Sequence, residues 1–268
     1  MKCLNTIVFY DNCEEVEKYI LNVVSIANGM VDIIVVVNSD KYNQVENMAT
    51  RLRANNIDCF QIFNYGENVG YLNTMLITIK RIDISPYDFV ILSNTDIFYD
   101  TKVFFQKLAL NSYEKDVGCI APSVFATRSN SYSNPHYYER ISKAKLKRLV
   151  RIFKFPLMGK IYLKLAKLKA EKKRKNKQES CYVYSPHGCY MIFTKDFVKC
   201  ILGYEYGVKM YSEESVIGEL LRKYEKKCYY DSSISVVHQE SSVTGRINYK
   251  KRFSMWRQSL EYIITEFY

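Results

Sequence analysis

No run of this sequence approaches the ~20 consecutive apolar residues that a bilayer-spanning helix needs. Met1 to Glu15 also lacks the apolar segment of a secretory signal. The expectation is a chain neither exported nor membrane-spanning. The eight cysteines (3, 13, 59, 119, 181, 189, 200, 228) contain no CxxC pair and are too dispersed for a disulfide framework or a zinc site. They read as reduced, mostly buried small hydrophobes. There is no GxGxxG fingerprint, no P-loop lysine with its Ser/Thr, and no internal repeat.

What is present is a globular composition, 48% hydrophobic and 25% charged over 268 residues, enough for one large domain or two small ones. The net charge of +11 is local. Residues 140–177 hold sixteen Lys and Arg against Glu171, a charge of +15 that leaves −4 for everything else. A mildly acidic body with one cationic arm suggests an enzyme attached to something anionic.

Continuous β-branched runs predict buried parallel strands at 5–10, 32–37, 59–63 and 88–93, with a fifth at 118–123. Helix-period segments separate them, the last near 104–110. The implied fold is a doubly wound α/β sheet with ligands at the carboxyl ends of its strands. After the basic stretch the pattern resumes with strands at 182–184, 190–193 and 233–237, a helix over 215–226 and an amphipathic C-terminal helix. The organisation expected is a first half over 1–127, a basic insert over 128–180 and a second half of the same domain over 181–268.

Four motifs carry chemistry. Ser93-Asn94-Thr95-Asp96 ends an apolar strand, where Asp suits a hard cation and a diphosphate; Asn-Thr-Asp is equally good turn sequence. Glu213 and Glu214 follow Ser212 at a helix start. They serve either as first-turn acids behind an Ser212 N-cap or as a proton acceptor kept ionised by the helix end. His238 closes a strand ahead of the polar loop Gln239 to Gly245, as a structural histidine or a metal or phosphate contact. Gly66-Glu67-Asn68-Val69-Gly70-Tyr71 is a turn before a helix, able to offer backbone N–H groups to an anion.

In this order the motifs resemble the inverting nucleotide-sugar glycosyltransferases of family 2, with the GT-A fold, and especially its rhamnosyltransferase-like members. The residues carrying the resemblance are Thr6 to Tyr10, Asn68-Val69-Gly70-Tyr71, Asn94-Thr95-Asp96 at the DxD position, Gly188, Glu213-Glu214 at the catalytic base motif and His238. The resemblance implies a nucleotide-diphosphate sugar donor contacted by Tyr10, Asn38, Asn68, Gly70 and Asn94. It implies a divalent cation, Mn²⁺ or Mg²⁺, on Asp96 and His238. It implies Glu214, in preference to Glu213, as the base acting on an acceptor hydroxyl. One departure stands out: Val37-Asn38-Ser39-Asp40 replaces the usual Asp-Asn, so a base contact is lost or moves to Asn38 or Asp40.

The basic segment lacks a nucleic-acid module, and a merely solvated helix would not need Ile152, Phe153, Phe155, Leu157 and Met158. Interleaved Lys, Arg and apolar residues broken at Pro156 instead suit a membrane-surface helix pair, dispensable for the α/β core. The expected setting is peripheral on the cytoplasmic face of the membrane, with a glycan or lipid-linked acceptor from polysaccharide synthesis and no nucleic acid. The competing expectation is a non-catalytic GT-A-like protein that binds saccharide or a partner.

Overall fold

Four parallel strands form the frame: β1 (Cys3–Phe9), β2 (Val31–Val37), β3 (Phe60–Asn64) and β4 (Phe89–Ser93), in the order β3-β2-β1-β4. Each neighbouring pair is parallel, with β1 registered from Cys3↔Val31 to Phe9↔Val37. Their runs need no polar alternation because both faces are covered. Helices α1 (Cys13–Ala27) and α2 (Tyr42–Ala54) cover one face and α3 (Tyr71–Arg81) the other. The computed structural model describes residues 1–173, 175–240 and 248–268.

The second half extends the same sheet. After β5 (Ile97–Phe98) and α4 (Phe104–Leu110) come β6 (Val117–Ala126), β7 (Ser131–Tyr132), β8 (Cys181–Val183), β9 (Tyr190–Thr194) and β10 (Lys227–His238). The order continues β4-β9-β6-β10-β5, with β7 on β6 and β8 on β10. The architecture is therefore a mostly parallel α/β sheet with helices on both faces, as the sequence pattern implied. Strand β6 outruns the expected 118–123 because it pairs with both β9 and β10. The short β5 and β7 left no periodic signal, and neither did α7 (Lys195–Ile201).

Helices α5 (Lys143–Lys154) and α6 (Pro156–Lys173) occupy most of the basic segment, and α8 (Glu213–Lys223) and α9 (Tyr249–Phe267) complete the chain. The break comes where expected: Phe155 is extended and Pro156 opens α6, a position where its missing N–H costs nothing. Separability of the whole segment from the core is corrected, however. Leu146, Leu149 and Phe153 of α5 are buried, and the Phe153 ring stacks on Phe253 of α9 at 5.4 Å, beside Trp256.

A buried ion cluster ties this layer to the sheet. Glu219 on α8 is fully buried and receives Arg140 Nε at 2.6 Å and an Arg140 terminal nitrogen at 3.0 Å, Tyr184 Oη at 2.9 Å and Arg222 Nε at 3.1 Å. Burial alone would raise the Glu219 pKa, but hydrogen bonds from Arg140, Tyr184 and Arg222 outweigh it and hold the carboxyl below its ordinary range. A depressed folded pKa contributes stability above the unfolded value and loses it as pH falls through the folded one. Arg140→Ala should therefore cost about 3 kcal/mol at neutral pH, and the deficit should shrink in acid below the ordinary carboxyl range. Urea titrations across that pH range check this.

Candidate active site at the carboxyl edge of the sheet

The two-residue strand β5 brings the site together. Its antiparallel pairing sets Ile97 opposite His238 and Phe98 opposite Val237, and Gln239 donates its backbone N–H to the Asp96 carbonyl at 2.9 Å. Asp96 and His238, far apart in sequence, thus meet with His238 Nε2 3.2 Å from Asp96 Oδ1, both side chains nearly buried. A carboxylate oxygen and an imidazole nitrogen are donor types that would suit a divalent cation there. Among the described residues no group of three or more His, Cys, Asp and Glu forms a closed metal cage. Two protein donors would leave a hard cation to complete its shell with phosphate and water. Ser241 to Gly245, the rest of the polar loop after His238, lies outside the described residues.

The carboxylates enter by a different route. Tyr211 and Ser212 both have positive φ, 74° and 63°, so the chain reaches α8 through a left-handed turn. This overturns the N-cap expected of Ser212, since capping needs an extended residue and the Ser212 hydroxyl instead pairs with Ser259 at 3.0 Å. Glu213 turns back to accept the Tyr211 N–H at 2.9 Å, while Glu214 accepts the Gly188 N–H at 3.2 Å. Burial, then the neighbouring Glu214 charge, raises the Glu213 pKa to about 8; burial also raises that of Glu214. The two neighbouring carboxyls therefore disfavour being ionised together.

Residues 187–189 join both halves. The His187 ring lies 6.2 Å from His238, Gly188 holds Glu214, and the Cys189 carbonyl accepts the Asn94 N–H at 2.9 Å. Buried Asn134 fixes the segment, accepting the His187 N–H at 2.7 Å and donating to the Pro122 carbonyl at 2.9 Å. His136 packs edge-on against His187 at 5.1 Å, so all three histidines of the chain form one row beside Asp96. The sequence reading missed His136 and His187. Their available signals were the scarcity of histidine and the adjacency of His187 to Gly188. Tyr71 was read only as part of a turn. Its hydroxyl is buried without a hydrogen-bond partner, and burial, then nearby Cys189 and Glu213, keeps it protonated.

The residues expected to contact a donor nucleoside are placed differently from expectation. Tyr10 is exposed at the end of β1, but Val37 is wholly buried, and Asn38 spends its side chain internally, donating to Asn68 at 3.0 Å and accepting from Val69 N–H at 2.7 Å. Asn68 also takes the Gly70 N–H at 2.9 Å, while Tyr71 N–H donates to the Lys209 carbonyl. The N–H groups of Val69, Gly70 and Tyr71 are therefore committed within the fold. Gly70 is required by contact: at φ 97°, an added Cβ would sit 2.3 Å from the Lys209 carbonyl oxygen. Of the positions suggested for the lost base contact, only Asp40 remains exposed and uncommitted to this latch.

No family model and no curated protein matches the sequence. Solved structures do match. Mannosyltransferase PcManGT from Pyrobaculum calidifontis, in complex with GDP-Man and Mn²⁺, has a TM-score of 0.58 at 8% identity, over 90% of this chain and 58% of that one. GalNAc-T7 with UDP, GalNAc and Mn²⁺ has 0.60 at 13%, over 90% and 44%. TarS of S. aureus has 0.57 at 13%, over 90% and 37%. The fold is that of GT-A glycosyltransferases. This chain spans less than two thirds of each of those three chains. At such identities the likeness fixes the GT-A fold, and the residues must be read on their own chemistry.

Two outcomes follow from the Glu213–Glu214 pair. A carboxyl with a raised folded pKa contributes stability below its unfolded value and loses it as pH rises through the folded one. Thermal melts should show stability falling between about pH 4.5 and pH 8, and Glu213→Gln should flatten that fall and melt higher at alkaline pH. A Cβ at Gly188 would lie 2.8 Å from Glu214 Oε1. Gly188→Ala should therefore fold, because only a side-chain tip must yield, yet lose the Glu214 position. A crystal structure of the variant with Glu214 unmoved would refute this.

Proposed function

We propose that the chain is an inverting glycosyltransferase that moves a hexose, rhamnose-like in class, from a nucleotide diphosphate to an acceptor hydroxyl. The observation that supports this most is the junction at 187–189, where Gly188 donates to Glu214, the His187 ring lies 6.2 Å from His238 and the Cys189 carbonyl accepts the Asn94 N–H. Asp96 and His238 would hold a divalent cation, whose chemistry is to offset the charge of the departing diphosphate. Asn94 sits beside them to orient the same group.

The acceptor hydroxyl gives its proton to a Glu214 carboxylate oxygen as its own oxygen attacks the anomeric carbon from the face opposite the diphosphate. The new C–O bond forms as the sugar–phosphate bond breaks, its electron pair leaves with the nucleoside diphosphate, and the anomeric configuration inverts. Protonated Glu213 leaves Glu214 without a second buried negative charge next to it. Tyr71, held neutral, supplies a hydroxyl donor among these groups. The acceptor proposed is a lipid-linked glycan in cell-surface polysaccharide synthesis, met at the cytoplasmic face of the membrane.

Nucleotide sugars should raise the melting temperature only with Mn²⁺ or Mg²⁺ present, because a ligand of the folded state alone stabilises it. Asp96→Ala should remove that stabilisation while leaving the fold intact. Glu214→Gln should keep donor binding and lower turnover about 10²–10⁴-fold. A crippled Glu213→Gln beside a normal Glu214→Gln would reverse the assignment. Folded protein with no donor response at all would favour the non-catalytic saccharide-binding reading.

A further inference from the structure

Helix α6 has two apolar faces, and the body of the protein covers only one. On the inner side Gly159 is buried so close to Phe253 that an added Cβ would lie 2.9 Å from its ring, with Tyr162, Leu163 and Ala166 half-buried on the same side. On the outer side Leu157, Met158, Ile161, Leu165 and Leu168 are each more than half exposed. At 3.6 residues per turn these five fall within about 100° of arc, a continuous stripe. Exposed Lys160 and Lys164 border it, and exposed Lys154 precedes it at the end of α5.

We propose that this outer face of α6 docks on an anionic phospholipid surface, the stripe entering the headgroup boundary and the lysines meeting the lipid phosphates. Charge selects this occupant. The segment 140–177 carries +15 with a single acidic residue, so two copies brought face to face would repel, whereas an anionic bilayer complements them. A nucleic acid would satisfy the lysines but leave five apolar side chains in water. A bilayer accommodates both, as amphipathic helices lying in the membrane plane do. Helix α6 also has the rigid backing such a device needs, since Phe253 rests against Phe153 and Trp256.

The site lies one helix away. Trp256 of α9 packs on Tyr211 at 5.3 Å and Ser259 holds Ser212, the two residues that lead into Glu213 and Glu214. A membrane under α6 is thus connected through α9 to the carboxylate side of the site, which deepens the lipid-linked acceptor proposed above and, in that consequence alone, rests on it. The docking itself stands without it.

The test is sedimentation of the full chain with vesicles of phosphatidylcholine alone or mixed with phosphatidylglycerol, at low and high salt. The intact protein should pellet with the mixed vesicles and be released by salt. Leu157→Gln/Ile161→Gln/Leu165→Gln, which leaves every charge in place, should weaken partitioning at least about tenfold. Its melting temperature should not change, because the replaced side chains are exposed; Leu157→Gln/Leu168→Gln provides a second, milder comparison. Equal partitioning by both variants and wild type, or no pelleting of wild type at low salt, overturns the proposal. So does a wild-type dimer in ultracentrifugation that the triple variant abolishes. Donor-induced thermal shifts on the same proteins separate the two readings: vesicle binding without a donor response sinks only the catalytic one, and the reverse sinks only the docking.

Discussion

Two backbone residues, Ile97 and Phe98, decide whether the candidate site comes together. Asp96 and His238 come from opposite halves of the sequence. The antiparallel pairing of β5 with the end of β10 brings Asp96 to His238 and seals the edge of the sheet at the same time. Because register is set by backbone hydrogen bonds, a slip of one residue would turn His238 to the opposite face. The site's geometry is thus a property of strand register more than of any single side chain.

The carboxylate side is built on a different economy. Placing two acids next to each other in a poorly hydrated corner disfavours double ionisation, and the fold answers with one backbone donor for each, Tyr211 N–H for Glu213 and Gly188 N–H for Glu214. The left-handed pair Tyr211–Ser212 supplies the geometry for the first of these. Strained backbone of this kind persists only where its surroundings hold it. Here Ser259 and Trp256 from α9 do so.

The frame strands were legible because a strand buried on both faces must be continuously apolar, and 89–93 or 31–37 leave no other reading. Asp96, His238 and the Glu213–Glu214 pair were legible as strand-end and helix-start residues. What escaped was short or long-range. A two-residue strand has no period, and His136 and His187 join the row only through the Asn134 latch, which no local pattern encodes. Ser212 misled because a helix-capping rule assumes extended backbone, and the basic segment misled in part because its charge concealed the core residues Leu146, Leu149 and Phe153. Asn38 and Asn68 were read as donor contacts, and their amides are bound to each other and to the turn.

Gly70 bears on how the turn over 66–71 and the start of α8 communicate. Its close seat on Lys209 is reinforced by Asn73, which donates to the carbonyls of Val69 and Tyr206 at 3.0 and 2.9 Å and accepts the Tyr206 N–H at 3.2 Å. The turn over 66–71 and the segment that runs into Glu213 and Glu214 are therefore a single mechanical part. A displacement of the turn is transmitted to the start of α8, so the two behave as one setting of a lever and cannot be tuned independently by evolution or by design.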